Sequence, residues 1–209
     1  MVEYKLKYFD ARRRAEPIRM IFHYMKVPFE DIRISQADWP KEKENTPYGQ
    51  VPVLYINGRP MAQAYAIMRY LGAKYGLAGK DDEERASLDE IMEVYRDMAD
   101  QAKDYLVVLL GYGEGDLEKL RNEKFLPAAN KYFPLMEQKL KESNSGFFGS
   151  SGPSYVDFFV NESIEVLKQP HYEQKLIEEI APLLVEHSKR VNALPQLQDY
   201  LSKRNNTSF

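Results

Sequence analysis

The residues best suited by type and spacing to do chemistry are Gln50-Val51-Pro52, the pair Gln63-Ala64 and Tyr8. A proline cannot donate to a strand ladder, so Pro52 belongs at a strand start, an edge or a turn. A bend at Val51-Pro52, for which a cis bond is one route, leaves the backbone N–H and C=O of Val51 facing outward. Those two groups can pair with an extended peptide, as a strand adds to a sheet edge. Gln63 and Ala64 fall where a strand gives way to an amphipathic helix, and helix N-termini favour carboxylates. Together the two features suit a small anionic peptide. Tyr8 comes at the end of the first strand, at the carboxyl edge of a sheet, where ligands collect in α/β folds. Taken alone it is also one of 15 tyrosines, and a core position is open to it.

The elements that must position these residues are legible from periodicity. Val2, Tyr4, Leu6 and Tyr8 alternate with charged residues, which predicts a half-buried strand. Ile18, Ile21, Phe22 and Met25 share one helical face behind Pro17, and residues 29–34 read as a second strand. This βαβ unit is followed by a polar loop over 35–48. Residues 53–56 and 59–62 flank Asn57-Gly58, a strong hairpin signal. A helix follows with Ile67, Tyr70, Leu71 and Tyr75 on its apolar face. The order βαβ then ββα predicts a thioredoxin-like N-terminal domain over residues 1–77. The glycine-containing stretch that follows predicts a linker at 78–82, and residues 83–209 read as an all-helical C-terminal domain. Within it we expect a long helix to about 110, a glycine-rich break at 111–115, and a helix over 116–141 marked by Pro127 and Pro134. After a second break at 143–151, Ser154 and Asp157 form a capping-box variant, which makes Asp157 structural.

Composition narrows the functional classes. At 209 residues and 44% hydrophobic, the chain can bury a core, and its net charge of −3 disfavours nucleic acid as a partner. With no cysteine there is no disulfide framework, thiolate metal ligand or cysteine nucleophile. His23, His171 and His187 are far apart in helical text, so no metal site is expected. No apolar run reaches membrane-spanning length and none resembles a signal sequence, which predicts a cytosolic protein with no membrane partner.

Several short segments now combine. Tyr4-Lys5-Leu6-Lys7-Tyr8-Phe9, Arg14-Ala15-Glu16-Pro17-Ile18-Arg19 and Gln36-Ala37-Asp38-Trp39-Pro40, with Gln50-Val51-Pro52 and Gln63, occur in the order of a known family and at nearly its positions. Over essentially its whole length the chain resembles a glutathione transferase of the sigma class. The resemblance implies a homodimeric detoxifying enzyme that conjugates glutathione, as co-substrate, to a hydrophobic electrophile, with no tightly bound cofactor. It implies that Tyr8 donates its hydroxyl to the glutathione sulfur, stabilising the thiolate, with Arg14 in support. Trp39 and Lys43 match positions that bind the glycyl carboxylate. Gln50, Val51 and Pro52 match the backbone contacts, and Gln63 and Ala64 the γ-glutamyl site. Asp97 matches a carboxylate that reaches across a dimer. Phe9, Arg13, Asp104, Tyr105 and Phe209 are expected around the electrophile, and peroxidase or isomerase side activity is compatible with the same site.

The chain departs from the sigma pattern at three places. Ala64 stands where the family has a serine whose hydroxyl binds the γ-glutamyl carboxylate. Arg13 stands where glycine is usual. Asp104 and Arg96 stand where the prostaglandin-isomerising branch has its pocket tryptophan and an acidic metal ligand, which weighs against prostaglandin isomerisation and metal activation. A non-catalytic ligand-binding or crystallin-like protein on the same fold is the alternative.

Overall fold

In the computed structural model, which describes residues 2–169, 173–205 and 207, the alternation at the N-terminus becomes β1 (Tyr4–Phe9), with Tyr4, Leu6 and Tyr8 buried. A short 3-10 turn (Arg13–Ala15) leads into α1 (Glu16–Tyr24), with Pro17 in its first turn, where a missing N–H costs nothing. β2 (Glu30–Ile34) then pairs parallel with β1, placing Tyr8 opposite Arg33. β3 (Val53–Ile56) runs antiparallel to β1, and β4 (Arg59–Ala62) antiparallel to β3, for a sheet order β2-β1-β3-β4. Asn57 and Gly58 both have positive φ, 49° and 80°, as a two-residue hairpin turn of this hand requires. The Val51-Pro52 bond is cis. α3 (Ala64–Lys74) completes the thioredoxin-like half.

The loop expected over 35–48 contains a short helix, α2 (Trp39–Lys43), with Pro40 in its first turn. Between α3 and the next helix, Leu77 and Ala78 are buried, and the Leu77 carbonyl accepts from the Tyr155 N–H at 3.0 Å. This connection packs against the helices beside it.

Beyond it the regular structure among the described residues is helical, apart from one isolated bridge, Gly149 with Gly152. The expected helix to 110 is two helices, α4 (Asp82–Gln101) and α5 (Lys103–Leu109). Hydrogen bonding continues through Ala102, but its φ of −88° and ψ of 5° turn the axis. The segment expected as a single helix over 116–141 is α6 (Leu117–Leu120), a π turn (Arg121–Phe125) and α7 (Leu126–Ser143). Pro127 brings no N–H, and the wider turn precedes it where the ladder is interrupted. Pro134 lies inside α7.

α8 (Tyr155–Leu167) is the buried centre of this half and packs on α1 and on the helix over Pro182–Asn192. Its start carries the expected capping box: Asp157 accepts from the Ser154 N–H at 2.7 Å and Ser154 Oγ at 2.6 Å. Asp157 also accepts from the Phe148 N–H and meets His187 Nε2 at 2.6 Å, so it is fully committed to structure. α9 (Gln174–Ile180), α10 (Pro182–Asn192), a 3-10 turn (Pro195–Leu197) and α11 (Gln198–Lys203) complete the chain. The last of these returns to the first half, where Tyr200 donates to the buried Glu16 at 2.8 Å.

Candidate functional site

Tyr8 is held by the central strand and by the turn that follows it. Arg19, fully buried on α1, donates to the Ala11 carbonyl at 2.7 Å and to Asp31 at 3.0 Å, and its guanidinium lies 5.9 Å from the Tyr8 ring. One side chain thus fixes the backbone just beyond the tyrosine. Burial raises the Tyr8 pKa, with Arg14 and Arg13 opposing the rise. A phenol in this state stays protonated at neutral pH and donates a hydrogen bond, while the two arginines favour an anion in front of it.

A second group of residues forms a continuous surface beside the sheet. The Phe9 ring meets those of Tyr8 and Trp39 edge-on at 5.6 and 5.1 Å, so α2 is anchored to the end of β1. Trp39 is half-buried, and the exposed Lys43 lies against Gly49, where an added Cβ would stand 3.2 Å from Lys43 Cε. Gln50 and Gln63, both exposed, meet at 3.3 Å with the Gln63 amide donating. Val51 is half-buried and Pro52 buried. Gln63 precedes α3 with a φ of 71°, and Ala64, 7% exposed, is the first residue of that helix. Its start has no side-chain cap, so its N–H groups are available to an anion. Asp97 is exposed on α4.

Between the two halves opens a cavity of about 430 Å³. Tyr8, Arg13 and Arg14 line it from the first half, and α4, α5 and α8 supply most of the rest. Three expected lining residues lie elsewhere. Phe9 follows Tyr8 in the strand and packs on Trp39 instead. Lys103, Leu106, Val107 and Leu109 of α5 and Leu110 just beyond it line the cavity, while Asp104 is exposed to solvent. Tyr105 points inward, stacks on Phe125 at 4.8 Å, and donates from its hydroxyl to Glu173 at 2.6 Å. Phe209 lies outside the described residues.

Residue reasoning missed Tyr65, Tyr95, Tyr112, Lys103 and Glu162, which line the cavity. Burial pushes Tyr65 up to about 12. Only Tyr65 had a local signal, its place one residue after the Gln63-Ala64 helix start. Among the described residues no group of three metal-ligating side chains occurs, and no helix is long and apolar enough to cross a membrane. His187 is buried against Asp157 and His23 stacks on Tyr200 at 4.0 Å, while His171 lies outside the described residues.

Known proteins share this fold. The glutathione S-transferase N-terminal domain family matches residues 4–73, and the glutathione S-transferase C-terminal domain family matches 99–204. Probable glutathione S-transferase 6 of Caenorhabditis elegans is 36% identical, with all of both chains covered. A structure described as a monomeric glutathione S-transferase of the hookworm Necator americanus is 39% identical, with 99% of this chain and 100% of that one covered, at a TM-score of 0.91. A Nu-class transferase of Haemonchus contortus is 35% identical, with full coverage of both chains and a TM-score of 0.88. These are transferases by name, which sets aside the non-catalytic alternative. The chain belongs to the glutathione S-transferase family, with the transferase activity and the glutathione co-substrate that go with it.

Proposed function

We propose that the enzyme binds glutathione on the residue 1–77 half, ionises its thiol through Tyr8, and presents the thiolate to a hydrophobic electrophile in the cavity against the 83–209 half. The observation that carries this reading is the buried Tyr8 at the cavity wall with Arg13 and Arg14 beside it. A hydroxyl donated to sulfur favours the thiolate, and both reactants are then held together. Trp39 and Lys43 take the glycyl carboxylate, Gln50, Val51 and Pro52 the peptide backbone, and Gln63 with the Ala64 helix start the γ-glutamyl end. The apolar share of the cavity, from Leu106, Val107, Phe159 and their neighbours, suits a hydrophobic partner.

Detoxification in the cytosol is the physiological role we assign to this chemistry. Within the family, the resemblance read from sequence pointed to the sigma class. The relatives' names do not carry that assignment, and the Haemonchus structure favours the Nu class. A homodimer is part of the proposal: Tyr48 is 68% exposed, as an anchor into a partner requires, and Asp97 is exposed to reach a second subunit's glutathione. The hookworm relative is described as monomeric, so light scattering of this protein decides the state.

The direct test is the ultraviolet absorbance of the thiolate of bound glutathione, followed against pH. We expect a thiol pKa clearly below the free value of about 8.5, restored toward it by Tyr8→Phe. Glutathione that binds with an unshifted thiol, or a Tyr8→Phe enzyme with full conjugation activity, refutes the mechanism.

A further inference from the structure

The turn between β1 and α1 carries both arginines that face Tyr8, and its conformation is an uncomfortable one. Arg13 has a φ of 48°, in the left-handed region that side-chain-bearing residues avoid. Something must hold it there. Arg19 grips the turn at Ala11, two residues earlier, and leaves the Arg13 amide untouched.

The partner of that amide comes from the other half of the molecule. Glu162, on α8 and 3% exposed, accepts from the Arg13 backbone N–H through Oε1 at 3.2 Å. Its Oε2 accepts twice from the Arg12 guanidinium, from Nη2 at 2.7 Å and from Nε at 3.2 Å. Both carboxylate oxygens are thus spent on adjacent residues of one turn, about 150 residues away in the chain. The same side chain lines the cavity with Tyr8, Arg13 and Arg14.

We propose that Glu162 is a positioning residue: by clasping Arg12 and the Arg13 amide it sets the turn that aims Arg13 and Arg14 at the thiolate site, so that the helical half controls glutathione activation. The inference rests on the thiolate mechanism proposed above. Burial pushes the Glu162 carboxyl up to about 7 against the pull of Arg12, with Glu16 adding to the rise and Arg204 opposing it. Holding a carboxylate in such a place is costly, and the clasp recovers part of that cost.

The sign of the effect separates this role from a simple charge. A carboxylate in the cavity wall disfavours a nearby thiolate, so removing its charge alone lowers the thiol pKa. Releasing the turn acts the other way, because Arg13 and Arg14 lose their aim. In Glu162→Gln we expect the pKa of bound glutathione to rise by about half a unit, a roughly threefold loss of thiolate below the pKa. Amide hydrogen exchange of the peptide spanning residues 10–16 should quicken in parallel. If Glu162→Gln does not fold, Arg12→Lys opens the clasp from its other side and predicts the same two changes.

A thiol pKa that is unchanged or lowered in a folded variant overturns the proposal, as does unchanged exchange in the turn. If the wild-type thiol is itself unshifted, the thiolate mechanism fails first and the control of activation falls with it. Exchange then decides separately whether Glu162 holds the turn.

Discussion

Gly72 tests how tightly the two halves are joined. A Cβ built on it would stand 2.7 Å from Cδ1 and 3.1 Å from Cγ of the Tyr155 ring, where ordinary carbon contacts are about 3.5–4.0 Å. The ring has little freedom to yield. Tyr155 is 1% exposed, begins α8, and donates its hydroxyl to Asp89 on α4, so both ends are tied. In Gly72→Ala, α3 and α8 must part by roughly 1 Å. Overpacking of this kind costs about 1–3 kcal/mol. Alanine returns about 1 kcal/mol through better helix propensity, which in an exposed helix would decide the sign.

Taking the middle of that range, about 2 kcal/mol, the net expectation after alanine's return is a loss of about 1 kcal/mol, seen as a Tm lowered by roughly 2–4 °C for a chain of this size. Thermal denaturation followed by circular dichroism measures it. A Tm equal to or above that of the parent would show that the interface yields freely, and the reasoning from Tyr155 would be wrong. Because α3 also presents Ala64 to the peptide site, calorimetric titration of glutathione adds a second readout, with weaker binding expected if α3 is the element that moves.

Three further outcomes follow from individual residues. Ala64→Ser supplies a hydroxyl at the uncapped start of α3, and glutathione should bind about five- to thirtyfold more tightly by calorimetry; an unchanged or weaker Kd refutes it. Tyr105→Phe removes a buried donor to Glu173 but keeps the ring that stacks on the cavity-lining Phe125, so stability should fall by about 1–2 kcal/mol while KM for the electrophile stays as it was. At Glu165, burial raises the carboxyl but Lys168 and Ser188 more than offset it, leaving its pKa below the ordinary value. A depressed folded-state pKa adds stability above the unfolded value of about 4.3 and loses it as pH falls through the folded one. The Tm gap between the parent and Glu165→Gln should therefore be widest near neutrality and shrink below about pH 4; a gap constant between pH 3 and 7 counts against it.

What the sequence made legible was whatever is encoded within a few residues. The alternation of Tyr4, Leu6 and Tyr8 shows a strand because its period belongs to no other element. Asn57-Gly58 shows a hairpin because both positions need positive φ, and Ser154 with Asp157 shows a helix start because each satisfies the other's backbone. The cavity is different. Tyr95 and Tyr112 come from α4 and from the segment after α5, and nothing local distinguishes them from the tyrosines of the core. Asp104 and Tyr105 were misplaced because the face that α5 presents depends on the turn at Ala102, where the hydrogen-bond run passes without interruption. Glu162 was hidden by its distance in the chain from Arg12, since a clasp of that kind exists only after both halves have folded.

Arg13 shows how a departure from a family pattern acquires a physical meaning. The position has a φ of 48°, which glycine adopts at no cost and arginine at about 1–2 kcal/mol. Glycine makes the turn easily but brings no charge to the cavity. Arginine makes it only with help, which the Glu162 carboxylate gives at the Arg13 amide. In return a guanidinium stands at the wall beside a phenol whose burial would otherwise leave the site hostile to an anion. The strain in the turn and the charge beside Tyr8 are two aspects of one substitution. Arg13→Gly should accordingly relax the backbone and raise the thiol pKa together, which separates it from Tyr8→Phe, where the pKa rises with the turn unchanged.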